Sequence, residues 1–504
     1  MKRRWLLLLI PLVALLAFLP LWLSAKADDL PRSTPAAEGV STQSVINMMD
    51  SLLMMPGCDI HHVMVVRHGK VVAEMHPAPF RAEDSHTLYS VSKLFTALAV
   101  GIAIDENRLR LDDRVMTFFY DKMPDVISAQ MADVTVCDLL MMTSGVKPET
   151  DIRATSTDWS RQWLASSCVD KLGASFYYDS MGSFMLSAIV QRVTGHTMLE
   201  YLQEKLFIPM HITQADWEKS PDGICTGGWG LRMNTESLAK IGVLLLNKGE
   251  WEGHQLISAG YVEQACSPLI EAESSDYGAF TYGYQLWNAS WQGFGNVPLA
   301  LGRFGQAMVL LPEQDMVVVV LGVMVDDRGV LSFVKNQLLP GIADGALKSD
   351  KHLQQQLDSL CSNAVIYLPE GQPKGKNIDH KRLEMMPNSS GLAWAMLDGD
   401  TLRLARSGEP VETFPMGYRE WHYGTLKGLP PYSINALNRM KDLNHDFVTA
   451  SAYAWTTSAV LEVRIHYVNW IASSTYIFDF DKQELTFRDD FPGNQPNKIR
   501  FTVQ

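Results

Sequence analysis

Ser90 and Lys93 stand three residues apart in Thr87-Leu88-Tyr89-Ser90-Val91-Ser92-Lys93-Leu94-Phe95. An apolar, alanine-rich run at 95–104 follows and predicts a buried helix. If that helix starts near Ser90, both side chains lie on one face of its first turn. A serine hydroxyl is a poor nucleophile at its free pKa and needs an adjacent base. A lysine held away from water gives up its proton more readily and can supply one. The positive end of the helix backbone favours a developing oxyanion. The plain alternative is an N-cap serine followed by a solvated lysine. A lysine at the mouth of a core helix argues against it.

Two further stretches carry usable groups. Phe176-Tyr177-Tyr178-Asp179-Ser180 precedes an apolar helical run at 184–190 that ends at Thr194-Gly195. Tyr178 and Ser180 can present both oxygens to one pocket, or the segment simply caps the helix through Asp179 or Ser180. Leu301-Gly302-Arg303-Phe304-Gly305-Gln306 lies between strand-like runs, and its glycines let a substrate approach the backbone. Gly227-Gly228-Trp229-Gly230 is a glycine-rich turn before a helical run at 235–247. It lacks Gly-Lys-Ser/Thr, so it is not a phosphate loop. His61, His62 and His68 have no acidic residue spaced to complete a metal site and read as surface or core histidines. The six cysteines show no paired spacing, so no zinc site follows and buried thiols are the expectation.

The elements that must position these groups can be read in outline. Residues 44–55 have helical spacing, and 62–74 read as a hairpin around His68-Gly69-Lys70. Residues 105–115 read as a turn and an extended piece. Helices are predicted at 134–140, closed by Gly145, at 160–172 and at 330–339. Strands are predicted at 282–287, 309–311 and 316–321. From about residue 346 the character changes. A polar helical stretch and a Pro/Gly/Lys-rich linker at 346–376 lead into alternating aromatic segments at 460–467, 476–480 and 485–488. The region 377–504 therefore reads as a C-terminal antiparallel all-β domain, a sandwich or barrel.

With 504 residues, 47% of them hydrophobic, the chain can build more than one domain. A net charge of −13 with no arginine-rich cluster argues against nucleic acid as a partner. Lys2, Arg3 and Arg4 precede an apolar run at 5–23 and Ala25-Lys26-Ala27. Residues 1–27 thus read as a signal peptide or an N-terminal membrane anchor. The body of the chain is then exported, to the periplasm or cell envelope, free or held in the inner membrane through residues 5–23.

Taken together and in order, Ser90-Val91-Ser92-Lys93, Tyr178-Asp179-Ser180 and Arg303-Phe304-Gly305 resemble a known motif set. It belongs to the serine hydrolases related to class C β-lactamases, DD-peptidases (penicillin-binding proteins) and β-lactamase-like esterases. That family carries Ser-x-x-Lys, then Tyr-x-Asn or Tyr-x-Ser, then Lys-Thr-Gly or His-x-Gly. The resemblance covers residues 35–345, with Cys137 to Gly145, Val193-Thr194-Gly195 and Gly228 to Met233 as matching flanks. It implies an α/β (α+β) fold, a mixed antiparallel sheet covered by helices. It further implies an acyl-enzyme on Ser90, with Lys93 and Tyr178 sharing the base role and Tyr178 drawn toward phenolate by neighbouring cations. The backbone N–H groups of Ser90 and Gln306 would form the oxyanion hole. Ser180, Arg303, Gly305 and Gln306 would bind substrate, without metal or cofactor. Two departures matter: Arg303 stands where the family has Lys or His, and Ser180 where it often has Asn. They point to amide or ester hydrolysis of a small-molecule or peptide substrate, such as a cell-wall D-peptide, an acyl ester or a β-lactam-like compound, more than to efficient β-lactamase action. The alternative is a catalytically silent protein binding a cell-wall peptide or acyl ligand.

Overall fold

Met316–Met324 places nine consecutive residues in a strand, all of them buried. A strand with no polar face needs cover on both sides. In the computed structural model, which describes residues 29–147, 151–437, 440, 443 and 446–504, it lies within an eight-stranded antiparallel sheet. The strands are β1 (Cys58–Arg67), β2 (Lys70–Met75), β3 (Ile270–Ser275), β4 (Gly278–Tyr282), β5 (Trp287–Trp291), β6 (Gly295–Gly302), β7 (Gln306–Leu311) and β8 (Met316–Met324). Their order across the sheet is β2-β1-β8-β7-β6-β5-β4-β3. Four longer helices matter here: α1 (Thr42–Met54), α2 (Ser92–Asp105), α3 (Ser180–Thr194) and α4 (Thr235–Leu246). Val317, Val319 and Leu321 join the core that holds α2, α3 and α4. Val318 and Val320 join the opposite core with Val45, Met48 and Met49 of α1. The period of two along β8 thus divides one apolar run between two layers. Helix α2 is buried from Ser92 to Ala103, as its unbroken apolar character demands.

The predicted strand at 282–287 is instead a turn between β4 and β5. Gln285 has φ +59°, and Gly283 N–H donates to Leu286 O at 2.8 Å. The predicted helix at 160–172 stops early, as Trp159–Leu164. Beyond it the chain extends to pair Cys168 with Val146, and Val169 N–H donates to Gly145 O. The predicted hairpin is longer than its apolar core suggested, because β1 already begins at Cys58. No described helix is long and apolar enough to cross a membrane. The segment at 1–27, including the run at 5–23, lies outside the described residues. None of the six cysteines forms a disulfide.

The C-terminal region is a closed barrel. Its strands are β9 (Arg382–Met385), β10 (Leu392–Leu397), β11 (Thr401–Arg406), β12 (Glu412–Tyr418), β13 (His422–Leu426), β14 (Phe447–Trp455), β15 (Val460–Tyr467), β16 (Ser473–Asp479), β17 (Glu484–Asp489) and β18 (Asn497–Val503). Antiparallel neighbours run β12-β11-β10-β9-β18-β17-β16-β15-β14-β13, and a parallel pairing of β12 with β14 at Met416↔Ser451 closes the ring. Inward side chains such as Leu404, Phe414, Val463, Tyr476 and Phe487 are buried. The stretch read as a linker packs along this barrel, with Gln372 bridged to Trp455.

The barrel and the N-terminal region share one continuous apolar cluster. Arg464 pairs with Asp59, Tyr423 donates to Pro79 O at 2.7 Å, and Arg232 donates to Asn469 O at 3.0 Å. His61, His62 and His86 are buried at this seam beside His466 of the barrel, and burial pushes their pKa values down. His61 and His62 are therefore core histidines, whereas His68 lies in the hairpin turn and pairs with Glu38 at 3.0 Å.

Candidate active site

Ser90 lies in a 3-10 turn, Tyr89–Val91, one step before α2 rather than in its first α-turn. The turn is tied to a short strand, Leu231–Met233. Leu88 N–H donates to Leu231 O at 2.9 Å, and Ser92 Oγ accepts from Leu231 N–H at 3.1 Å while donating to Tyr89 O at 2.6 Å. Tyr89 takes a left-handed φ of +45°. A side chain there costs about 1–3 kcal/mol and needs tertiary support.

Lys93 is buried, and its Nζ touches three oxygens: Ser90 Oγ at 3.2 Å, Ser180 Oγ at 3.0 Å and Gly228 O at 2.7 Å. None of them is a carboxylate. Burial lowers its pKa to about 7; the Asp179 charge opposes the shift and Arg153 adds to it. The Gly228 carbonyl can only accept, so it holds one N–H, and Ser180 accepts a second. The lone pair of the neutral amine is then left for the Ser90 proton. The Gly227-Gly228 pair was visible in the sequence without an assigned role. A Cβ at Gly228 would stand 2.7 Å from Ser180 O, so only glycine brings this carbonyl to the lysine.

Tyr178 stacks on Trp287, with ring centres 5.6 Å apart, and its hydroxyl lies near enough to Ser90 for the serine hydroxyl to act on its pKa. Burial pushes its pKa above the usual tyrosine value of about 10. The expectation of a phenolate is therefore corrected. Lys93 Nζ lies 4.6 Å from the ring centre, over its face, and the amine itself is readily neutral. The phenol keeps its proton and can donate it. Asp179 caps α3, accepting from Met181 N–H at 2.8 Å and from Trp163 Nε1–H at 2.9 Å. The two readings of this corner are compatible: Asp179 caps while Tyr178 and Ser180 both lie against Lys93.

The third motif closes the other side. A Cβ at Gly302 would stand 2.6 Å from Leu88 O and 3.2 Å from Ser90 N, so the end of β6 rests against the nucleophile turn. Phe304 has φ +63°, and its N–H donates to Asp327 Oδ1 at 2.7 Å; Gly305 follows at φ +84°. The Gln306 side chain is buried and turned inward. Its Nε2 donates to Arg303 O (3.0 Å), Phe304 O (3.2 Å) and Gly322 O (2.7 Å), and its Oε1 accepts from Gly322 N–H. It braces the turn, which leaves its backbone rather than its side chain for substrate. Arg303 is exposed, lies 4.8 Å over the Phe304 ring, and makes no ion pair among the described residues.

Two contributors escaped sequence reading. Arg153 lies over Trp229 at 5.2 Å, close enough for its charge to act on Lys93. The barrel reaches the site: Tyr89 Oη lies 2.9 Å from Ser433 Oγ, and Phe491 stacks on Phe304 at 5.2 Å. A cavity of about 380 Å³ between the two regions is lined by Arg303, Phe304, Tyr432, Ser433 and Phe491. Contacts this remote in sequence leave no local pattern.

The chain is 26% identical over 283 residues to a 6-aminohexanoate-dimer hydrolase of Paenarthrobacter ureafaciens, covering 51% of this chain and 71% of that protein. It is 31% identical over 135 residues to Penicillin-binding protein 4 of Amycolatopsis lactamdurans, covering 25% of this chain and 34% of that one. The solved octameric penicillin-binding protein homologue from Pyrococcus abyssi aligns over 91% of this chain and 98% of its own, with 15% identity and a TM-score of 0.48. The sequence pattern described as Beta-lactamase matches residues 58–322, more than half of the chain, and the protein belongs to that family of serine hydrolases.

Proposed function

We propose that this protein hydrolyses an amide or ester through an acyl-enzyme on Ser90, and that its substrate carries a carboxylate. The observation that carries this reading is the buried Lys93 amine, with its pKa near 7, 3.2 Å from Ser90 Oγ. Lys93 takes the Ser90 proton as Oγ attacks the carbonyl carbon. The oxyanion that forms is received by the backbone N–H groups of Ser90 and Gln306. As the C–N or C–O bond breaks, Tyr178 gives its proton to the leaving atom, and the Lys93 ammonium restores it. Water then attacks the acyl carbon and loses a proton to Lys93, which returns it to Ser90. The exposed Arg303 guanidinium is free to hold a substrate carboxylate in a two-pronged contact. A relative named for hydrolysing a 6-aminohexanoate dimer, an amide bearing a free carboxylate, fits this class. The basic start, apolar run and Ala25-Lys26-Ala27 at the N-terminus support work outside the cytoplasm, in the periplasm or cell envelope.

The test is intact mass after exposure to a fluorophosphonate, comparing wild type with Ser90→Ala. One adduct on the wild type, absent from the variant, is the expected result. A well-folded wild type that stays unlabelled overturns the reading and leaves a binding protein.

A further inference from the structure

Two residues beside the candidate oxyanion site are left-handed without being glycine: Tyr89 at φ +45°, directly before Ser90, and Phe304 at φ +63°, two residues before Gln306. Both are aromatic, and their rings meet edge to face at 5.5 Å. Each is also gripped by the barrel. Ser433 shares a hydrogen bond of 2.9 Å with the Tyr89 hydroxyl, and Tyr432 packs 5.7 Å from the Tyr89 ring. Phe491 stacks on Phe304 at 5.2 Å. Left-handed backbone at a bulky residue persists only where the surroundings over-determine it. On the hydrolase side the backbone is held by Asp327 on the Phe304 N–H, Gln306 Nε2 on the Arg303 and Phe304 carbonyls, and Ser92 on the Tyr89 carbonyl. The rings themselves are held from the barrel.

We infer that the C-terminal barrel is a positioning element of the catalytic site: Ser433 and Phe491 hold Tyr89 and Phe304 in the strained conformations that aim the Ser90 and Gln306 N–H groups. This rests on the serine-hydrolase reading for its purpose, but the grip itself is testable without turnover. A misaimed N–H weakens transition-state stabilisation more than substrate binding, so loss of the grip lowers kcat and leaves KM nearly unchanged.

The full-length chain carrying Ser433→Ala, Tyr89→Phe or Phe491→Leu is compared with wild type and with Ser433→Thr, which keeps the hydroxyl. Ser433→Ala and Tyr89→Phe remove one hydrogen bond without opening a cavity, so folding is not in question for them. Amide exchange is followed at Val91 and Phe304, whose N–H groups are bound to Leu88 O and Asp327 Oδ1. Faster exchange there, about tenfold in Ser433→Ala and Tyr89→Phe and reversed in Ser433→Thr, is expected. A fall of about tenfold in kcat on a small ester, with KM within twofold, should accompany it. Exchange within twofold of wild type in all three weakened variants overturns the grip. Faster exchange with unchanged kcat overturns its service to catalysis. Failure of the wild type to label at Ser90 counts against the hydrolase reading instead, and the exchange result still decides the grip.

Discussion

The two walls that flank Ser90 are built on different plans. The wall of Lys93, Tyr178, Ser180 and Gly228 comes wholly from the hydrolase region and is dry around Lys93, whose Nζ is matched to Ser180 and Gly228. The wall of Arg303 to Gln306 presents an exposed cation on a left-handed turn braced from within by Gln306 and from outside by the barrel. A dry wall without a carboxylate in contact makes a lysine basic at neutral pH. An open wall whose guanidinium makes no ion pair among the described residues is where the proposed function puts a substrate carboxylate. On the proposed reading, loss of the Lys93 amine should damage kcat and loss of the Arg303 guanidinium KM, while the Phe304–Gln306 backbone of the second wall serves kcat.

The largest effect belongs to the dry wall. Lys93→Met removes the base, and general-base catalysis contributes about 10²–10⁴-fold. A loss of that size in Ser90 acylation, read as the fluorophosphonate labelling rate, is expected. In the wild type the active form is the neutral amine, whose pKa is about 7. The labelling rate therefore rises with pH through about 7 and levels above it. The raised pKa of Tyr178 keeps the phenol protonated through that plateau. A rate that is flat from pH 5 to 9 would show that Lys93 is not the titrating base.

Next comes the open wall. Arg303→Gln takes one charge-assisted contact from a substrate carboxylate, worth about 1.5–3 kcal/mol, or roughly 10- to 100-fold. The loss should fall on KM for carboxylate-bearing esters and spare their neutral amides. Equal losses on both substrate types would make Arg303 a support of the turn and erase the division between the walls.

How much of this the sequence disclosed follows from range. Ser90 and Lys93 lie three residues apart across the 3-10 turn and the start of α2, and Tyr178 and Ser180 lie at the mouth of α3, so local spacing announced both pairs. The apolar run of β8 announced a strand covered on both faces, and the aromatic alternation announced a β domain. What remained hidden depends on pairings across the chain. The strand expected at 282–287 became a turn because Gln285 is left-handed and hydrogen-bonds the 139–140 carbonyls through its side chain. Tyr178 was expected near phenolate because cations lie near it; where the charge sits relative to ring and oxygen is a three-dimensional fact. Gln306 was placed at the oxyanion hole through its backbone N–H by its motif position; that its side-chain amide turns inward to three backbone carbonyls left no trace in the sequence.

The smallest change sharpens the contrast from within the dry wall. Ser180→Ala removes one acceptor from Lys93 and leaves Gly228 and Ser90 in place. A neutral hydrogen bond contributes about 1 kcal/mol, so a fall of roughly fivefold in kcat is expected, with KM little changed. The pH profile says more than the rate. Ser180 accepts from the lysine, and an ammonium donates more strongly than an amine. Its loss therefore weakens the charged form more, lowers the Lys93 pKa further, and moves the rise of kcat/KM to lower pH. If the rise moves to higher pH instead, Ser180 donates to the amine lone pair, and the proton of Ser90 must leave by Tyr178.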